Sequence, residues 1–291
     1  MIDPDRLMNW PFEEVEHSYS ADFSMLYALS VGLGADPMDE RQLRFTNDTN
    51  PGTPIALPTM AVVLGYPGAW MADPATGIDY SRNVHGEEEI ILHKVLPAAG
   101  VVIARHRVTD ISDKGVGKGA TVTYEKVLFD KADGSRLATV IHTTFLRGQG
   151  GFTKGEQAAG SSTPAPPVPD RSPDRVREVA TLPQQALLYR LCADRNPLHS
   201  DPSTAAAAGF DRPILHGLGT FGLAGQAILG EFCGYAPEQL RSLRARFSSP
   251  VLPGETLVFE MFDTGDGIAF QARTKERDRP VLTHGRAVID R

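Results

Sequence analysis

The chain has 291 residues, 41% of them apolar, and 36 acidic against 29 basic side chains give it a net charge of -7. That apolar share is enough for real cores, while the acidic balance argues against a phosphate-backbone binder, so nucleic acid is not an expected partner. The most apolar early stretch, 56–72, is broken by Pro58, Gly65, Pro67 and Gly68, and no membrane span is expected. Asp3, Asp5 and Arg6 precede any apolar run, and the last residues are Val288-Ile289-Asp290-Arg291. Neither a secretory signal nor a peroxisomal address reads this way, and cytoplasmic residence is the default expectation. Cys192 and Cys233 are too few for a disulfide framework or a cysteine-based zinc site.

In chain order, a short helix is predicted over 22–32, where Leu26, Leu29 and Leu33 are spaced for one apolar stripe. Four β-branched-rich runs follow, 85–96, 101–108, 120–129 and 137–146, bounded by Gly, Pro and Asp and read as an antiparallel meander. Between Gly148 and Asp174 the composition shifts to Gly, Ser and Pro, with prolines at 164, 166, 167, 169 and 173. Such a segment runs extended, so the chain divides into a first domain over 1–150, a linker over 151–174 and a second domain over 175–291. In the second domain a helix should end at Arg195-Asn196, because the residue before Pro197 is pushed out of the α region. A mostly apolar helix follows from His216 to Phe232, with glycines at 217, 219, 222 and 225 that suggest close packing against a sheet. Strands over 240–248, 256–262, 268–274 and 281–289 close the chain, with turns at Pro253-Gly254 and Gly265-Asp266-Gly267.

The two halves also match each other in order. Leu26-Tyr27-Ala28-Leu29 answers Leu188-Tyr189-Arg190-Leu191, Asp36-Pro37 answers Asp201-Pro202, and Val95-Leu96-Pro97 answers Val251-Leu252-Pro253. Matches at a nearly constant offset indicate duplication. A helix wrapped by an antiparallel sheet, twice over, gives an α+β class of double hot-dog type, with 22–32 as the shorter helix of the first half.

The chemistry-bearing segment runs from Tyr189 to Pro202 and sets Asp194, Asn196 and His199 in a short loop held by Pro197 and Pro202. A carboxylate and an imidazole facing one point suit proton transfer near neutral pH, and adding or removing water is the simplest reaction that needs both. Asn196 offers a donor and an acceptor to orient one of them. Just downstream, 208–222 feeds into the central helix. Unpaired amides at a helix N-terminus suit a carbonyl that gains negative charge, and Gly217 leaves its amide open to a thioester. His216 reads as a buried, hydrogen-bonded residue. Asp194, Asn196, His199 and Asp201 bring oxygen and nitrogen donors together at short spacing, but a calcium loop needs a midway glycine and a closing acid where prolines stand, so neither metal nor cofactor is expected.

These two stretches resemble the motif of the (R)-specific enoyl-CoA hydratases, the hydratase 2 or MaoC-like family, especially the two-domain form of peroxisomal multifunctional enzymes. The likeness extends to Tyr19-Ser20 through Gly32 and to His85-Gly86-Glu87. The resemblance implies that Asp194 and His199 are the catalytic dyad, Asn196 its support and Gly217 the amide donor to the thioester oxygen. It implies acyl-CoA contacts at His85, Gly86, Lys114, Arg195, Pro197, Leu198 and Phe247, with Lys114 suited to a CoA phosphate and Arg246 a second basic contact. In the first half Gly32 falls where the offset places Asp194, and no histidine follows before Asp36. That half is expected to be catalytically empty and, by the resemblance, to accommodate the acyl chain.

The implied reaction is reversible hydration of a trans-2-enoyl-CoA to the (R)-3-hydroxyacyl-CoA by one site per chain, in a homodimer. An acyl-ACP dehydratase, a thioesterase on the same fold and a non-catalytic acyl-CoA binding protein are the alternatives. Which of Asp194 and His199 starts as base is open at this level.

Overall fold

The structure is a computed structural model that describes residues 2–153 and 166–291. Ten strands form one antiparallel sheet. The first half supplies β1 (Val15–Tyr19), β2 (Asn83–Leu92), β3 (Gly100–Asp113), β4 (Ala120–Asp130) and β5 (Arg136–Leu146). The second supplies β6 (Arg175–Ala180), β7 (Leu240–Phe247), β8 (Thr256–Asp263), β9 (Ile268–Thr274) and β10 (Pro280–Ile289). Their order across the sheet is β1-β3-β4-β5-β2-β7-β10-β9-β8-β6. Read from either edge inward the two halves have the same order, so a two-fold relation passes between β2 and β7.

All eight predicted strands are present with small shifts of their ends. The meander holds for β3, β4 and β5 only. β2 lies beyond β5, because it must pair with β7 as well, from Glu87 opposite Arg246 to Ile91 opposite Ser242. β1 and β6 were not legible in the sequence. They are the two edge strands, short and half-exposed, and an edge strand with charged positions lacks the apolar alternation that marks a buried one.

The helices are α1 (Pro4–Met8), α2 (Ala21–Ser30), α3 (Glu40–Leu43), α4 (Gln185–Cys192), α5 (Pro202–Ala207) and α6 (Gly217–Phe232). Every residue of α6 from Gly219 to Leu229 is buried, as an all-round apolar helix should be. Its glycines do open close approaches, though largely to helical segments rather than to the sheet alone. A Cβ on Gly222 would lie 2.5 Å from Val31 Cγ1, and one on Gly225 would lie 2.4 Å from Thr59 Cγ2. Both neighbours belong to the first half.

The duplicated Leu-Tyr-x-Leu sequences meet in space. α2 packs against α4, and the rings of Tyr27 and Tyr189 stand 6.1 Å apart. α2 is therefore the counterpart of α4, not of α6. The place beside the first-half sheet goes instead to a 3₁₀ helix, Pro58–Val62, whose five residues are all buried. The buried face of α2 also differs from the expected stripe: Leu29 is 43% exposed, whereas Tyr27 and Ala28 are fully buried. Buried Lys126 closes the end of the 3₁₀ helix by donating to the carbonyls of Val62 at 2.9 Å and Leu64 at 2.6 Å. Burial lowers its pKa to about 8.

α4 stops at Cys192, three residues earlier than expected, because Ala193 leaves the helical region at φ -142° and ψ -127°. Of the predicted linker, residues 154–165, including Pro164, lie outside the described residues. Among the described residues no helix is long and apolar enough to cross a membrane.

Candidate active site

The loop after α4 is built from short local bonds. The Asn196 backbone N–H donates to Asp194 Oδ1 at 2.8 Å, and Asn196 Oδ1 accepts from the Leu198 N–H at 3.0 Å. Asn196 thereby caps the 3₁₀ turn Pro197–His199, which turns His199 inward while Asp194 stays exposed. Asp201 is committed elsewhere: it caps α5 through Ser203 and Thr204.

His199 is 9% exposed, and its Nδ1–H donates to the Ile214 carbonyl at 2.9 Å. A carbonyl can only accept, so this bond fixes the tautomer and leaves Nε2 with its lone pair. Burial lowers the His199 pKa and outweighs the opposing effects of the Ile214 carbonyl and the Asp194 charge, so the ring is neutral at pH 7. His216 stacks on it with ring centroids 3.7 Å apart and donates from Nε2 to the Asp194 backbone carbonyl at 2.9 Å. Buried as the sequence suggested, His216 is held neutral with a pKa of about 3, first by burial and then by the neighbouring His199. Polar side-chain atoms of Asp194, His199 and His216 all lie within 4.8 Å of one another. The sequence did not reveal His216 as the strut that ties the dyad loop to α6.

α6 begins immediately after His216, and no side chain caps it. The first amides of the helix, Gly217 among them, therefore have no side-chain partner and carry the positive end of the helix dipole. Phe247 covers this end, since a Cβ on Gly217 would touch its ring at 3.4 Å.

On the far side of Phe247 lies a groove of about 650 Å³. Five of the residues singled out from the sequence line it together: His85, Gly86, Lys114, Arg246 and Phe247. Asp194, His199, Arg195, Pro197 and Leu198 do not. Groove and α6 N-terminus meet at Phe247, whose ring is 4.5 Å from that of His85 on one side and packs on Gly217 on the other. Arg246 is less free than the sequence suggested. It donates twice to Glu87 Oε1, at 2.8 and 2.7 Å, and Arg244 donates to Glu87 Oε2 at 2.5 Å. Burial would raise the Glu87 pKa, but the two guanidinium groups outweigh it and hold the carboxyl below its ordinary range. Lys114 is exposed on the loop after β3, and buried Asp113 pins that loop by accepting from the Gly115, Gly151 and Thr153 amides.

The first half also reaches the dyad. Tyr66 and Tyr80, both exposed, come within electrostatic range of Asp194. Neither was singled out from the sequence, and no local pattern marks them.

A strand-wrapped buried helix and a two-fold-related second half define a double hot-dog protein, with an acid–imidazole pair beside the start of that helix. Residues 17–148 match the family profile described as the MFE-2 hydratase 2 N-terminal domain, and residues 164–284 match the MaoC like domain. The chain belongs to this MaoC-like, hydratase 2 family of two-domain proteins. It is 42% identical to the 3-hydroxyacyl-thioester dehydratase Y of Mycobacterium tuberculosis over 250 residues, 84% of this chain and 82% of that protein. It is 36% identical to the peroxisomal enoyl-CoA hydratase 2 of Arabidopsis thaliana over 96% of this chain and 93% of that one. Among solved structures, a MaoC-like dehydratase from Phytophthora capsici superposes with a TM-score of 0.83 at 31% identity, covering 100% of this chain and 99% of that one.

Proposed function

We propose that the chain is an (R)-specific enoyl-CoA hydratase that adds water reversibly across the double bond of a trans-2-enoyl-CoA, using Asp194 and His199. The observation that carries this reading is the fixed tautomer of a neutral His199 beside the Asp194 carboxylate, at the uncapped start of α6. A water between the two gives one hydrogen to Asp194 as a hydrogen bond and its other proton to His199 Nε2 while its oxygen adds to C3. The imidazolium so formed returns a proton to C2 from the same side. The Gly217 amide holds the thioester oxygen as charge builds there. Names of full-length relatives, a 3-hydroxyacyl-thioester dehydratase and an enoyl-CoA hydratase 2, support the same class.

In this reading the CoA moiety lies along the groove, with Lys114 at a phosphate, and the first half walls the acyl chain while the second carries the chemistry. The test follows loss of the enoyl group from CoA thioesters of graded length, with chiral analysis of the product and a free-thiol assay. Release of free CoA in place of an (R)-3-hydroxyacyl product would assign a thioesterase instead.

Lys114→Ala is expected to raise KM for the CoA substrate by about 2- to 5-fold, with kcat unchanged, since one exposed charge contact is worth little. Steady-state kinetics at two ionic strengths check this, because the effect should shrink as salt screens it. The pH profile supplies another check. His199 acts as a neutral base, so activity falls as pH drops through its pKa. Because burial sets that pKa below the ordinary 6.5, the acid limb of kcat/KM should be centred below pH 6.5. A limb centred above that value would contradict the assignment.

A further inference from the structure

Beyond the dyad, one other group of side chains among the described residues has the composition and spacing of a metal-ligand set. Glu88 lies on β2, and sheet register puts His142 of β5 directly opposite it. His85 precedes Glu88 on β2, and the register shift between His85 and Glu87 turns its ring back toward the carboxylate. The result is a carboxylate 2% exposed, with His85 Nε2 and His142 Nδ1 each 2.9 Å from the same oxygen, Glu88 Oε2. The two rings lie 3.8 Å apart and are about one-fifth exposed.

We propose that His85, Glu88 and His142 form a binding site for a divalent transition-metal ion of the Zn²⁺ class, separate from the dyad and opening on the substrate groove. Two imidazoles and one carboxylate are a borderline donor set that suits such ions. Bonds of about 2.1 Å at the tetrahedral angle place neighbouring ligand atoms about 3.4 Å apart, so both nitrogens need to draw back from their present 2.9 Å by only about half an ångström. Buried Lys126 already offsets part of the Glu88 charge, so the site holds an ion through its nitrogens as much as through attraction. The groove supplies an entry path, since His85 and Glu88 both line it. When the ion binds, it displaces the N–H···O bonds of both rings to Glu88 and that of His85 Nε2 to the Glu87 carbonyl at 3.1 Å, and each imidazole proton moves to the other ring nitrogen. Because the His85 ring also faces Phe247, an ion here stiffens the wall that the proposed thioester site shares.

The test uses the full chain without a polyhistidine tag, titrated with ZnCl₂ by calorimetry and with Co²⁺ by visible absorption. One ion per chain should bind at this site, with a cobalt ligand-field band. Glu88→Gln and His142→Ala should each weaken binding at least tenfold, while Asp194→Asn should leave it unchanged. Circular dichroism shows which variants are folded. The proposal is overturned if the wild type takes up no ion or shows no such cobalt band, if folded Glu88→Gln or His142→Ala binds as tightly as wild type, or if Asp194→Asn abolishes binding. The wild-type spectrum decides the matter even where a variant fails to fold. Because no readout depends on hydration, failure here is distinct from failure of the proposed activity.

Discussion

Asp194→Asn and His199→Ala are each expected to lower kcat for hydration of crotonyl-CoA by about 10²- to 10⁴-fold, with the fold intact. Asp194 is exposed, and its Oδ1 accepts one local amide. Asparagine keeps an oxygen for that bond and removes the charge that helps hold the water and the imidazolium. His199→Ala removes the Nε2 lone pair beside Asp194 that the fixed tautomer leaves free, since the Ile214 carbonyl occupies the other ring nitrogen. The double variant should lose little more than the worse single one, because two groups sharing one water act as a unit. Steady-state rates of both singles and the double, with melting curves beside them, make the check. Wild-type turnover in either single variant would remove the dyad from the mechanism.

A large effect on stability is expected at Gly222. Its Cβ would stand 2.5 Å from Val31 Cγ1 and 3.0 Å from the Tyr27 hydroxyl, and both neighbours are fully buried. Neither has open space to retreat into. Gly222→Val should therefore cost about 3 kcal/mol through overpacking, and Gly222→Ala less but still a loss, despite alanine's better helix propensity. Denaturant midpoints measured at one temperature order the three proteins. If Gly222→Ala proved more stable than wild type, α6 would not approach Val31 as described.

Much of this was legible in the sequence because periodicity and order are local properties. β-Branched-rich runs bounded by Gly, Pro and Asp marked the central strands, and the repeated Leu-Tyr-x-Leu pointed to duplication that the sheet order then displayed. The Asp194 loop was visible because its residues are neighbours along the chain. What was hidden depends on contacts between distant residues. The 3₁₀ helix Pro58–Val62 is set beside the sheet by Lys126, far along the chain. Arg246 looked like a free cation because nothing in its own strand announces Glu87 across the β2–β7 pairing. The helix over 22–32 was assigned to the wrong partner for a related reason: spacing describes the stripe, but only packing shows that Tyr27 faces Tyr189.

The β2–β7 pairing also governs how the molecule comes apart. Were the first half to open alone, β7 would lose a row of partners, and the α6 face cut away for Val31 and Thr59 would stand empty in water. Opening only the second half would uncover β2 and the 3₁₀ helix in the same way. Neither half has a cheap partial unfolding, so the two share a single cooperative transition. The first half is thermodynamically part of the half that carries Asp194 and His199. Substitutions at Val31 or Thr59, which touch neither Asp194 nor His199, act on the reaction through the fraction of chains that remain folded.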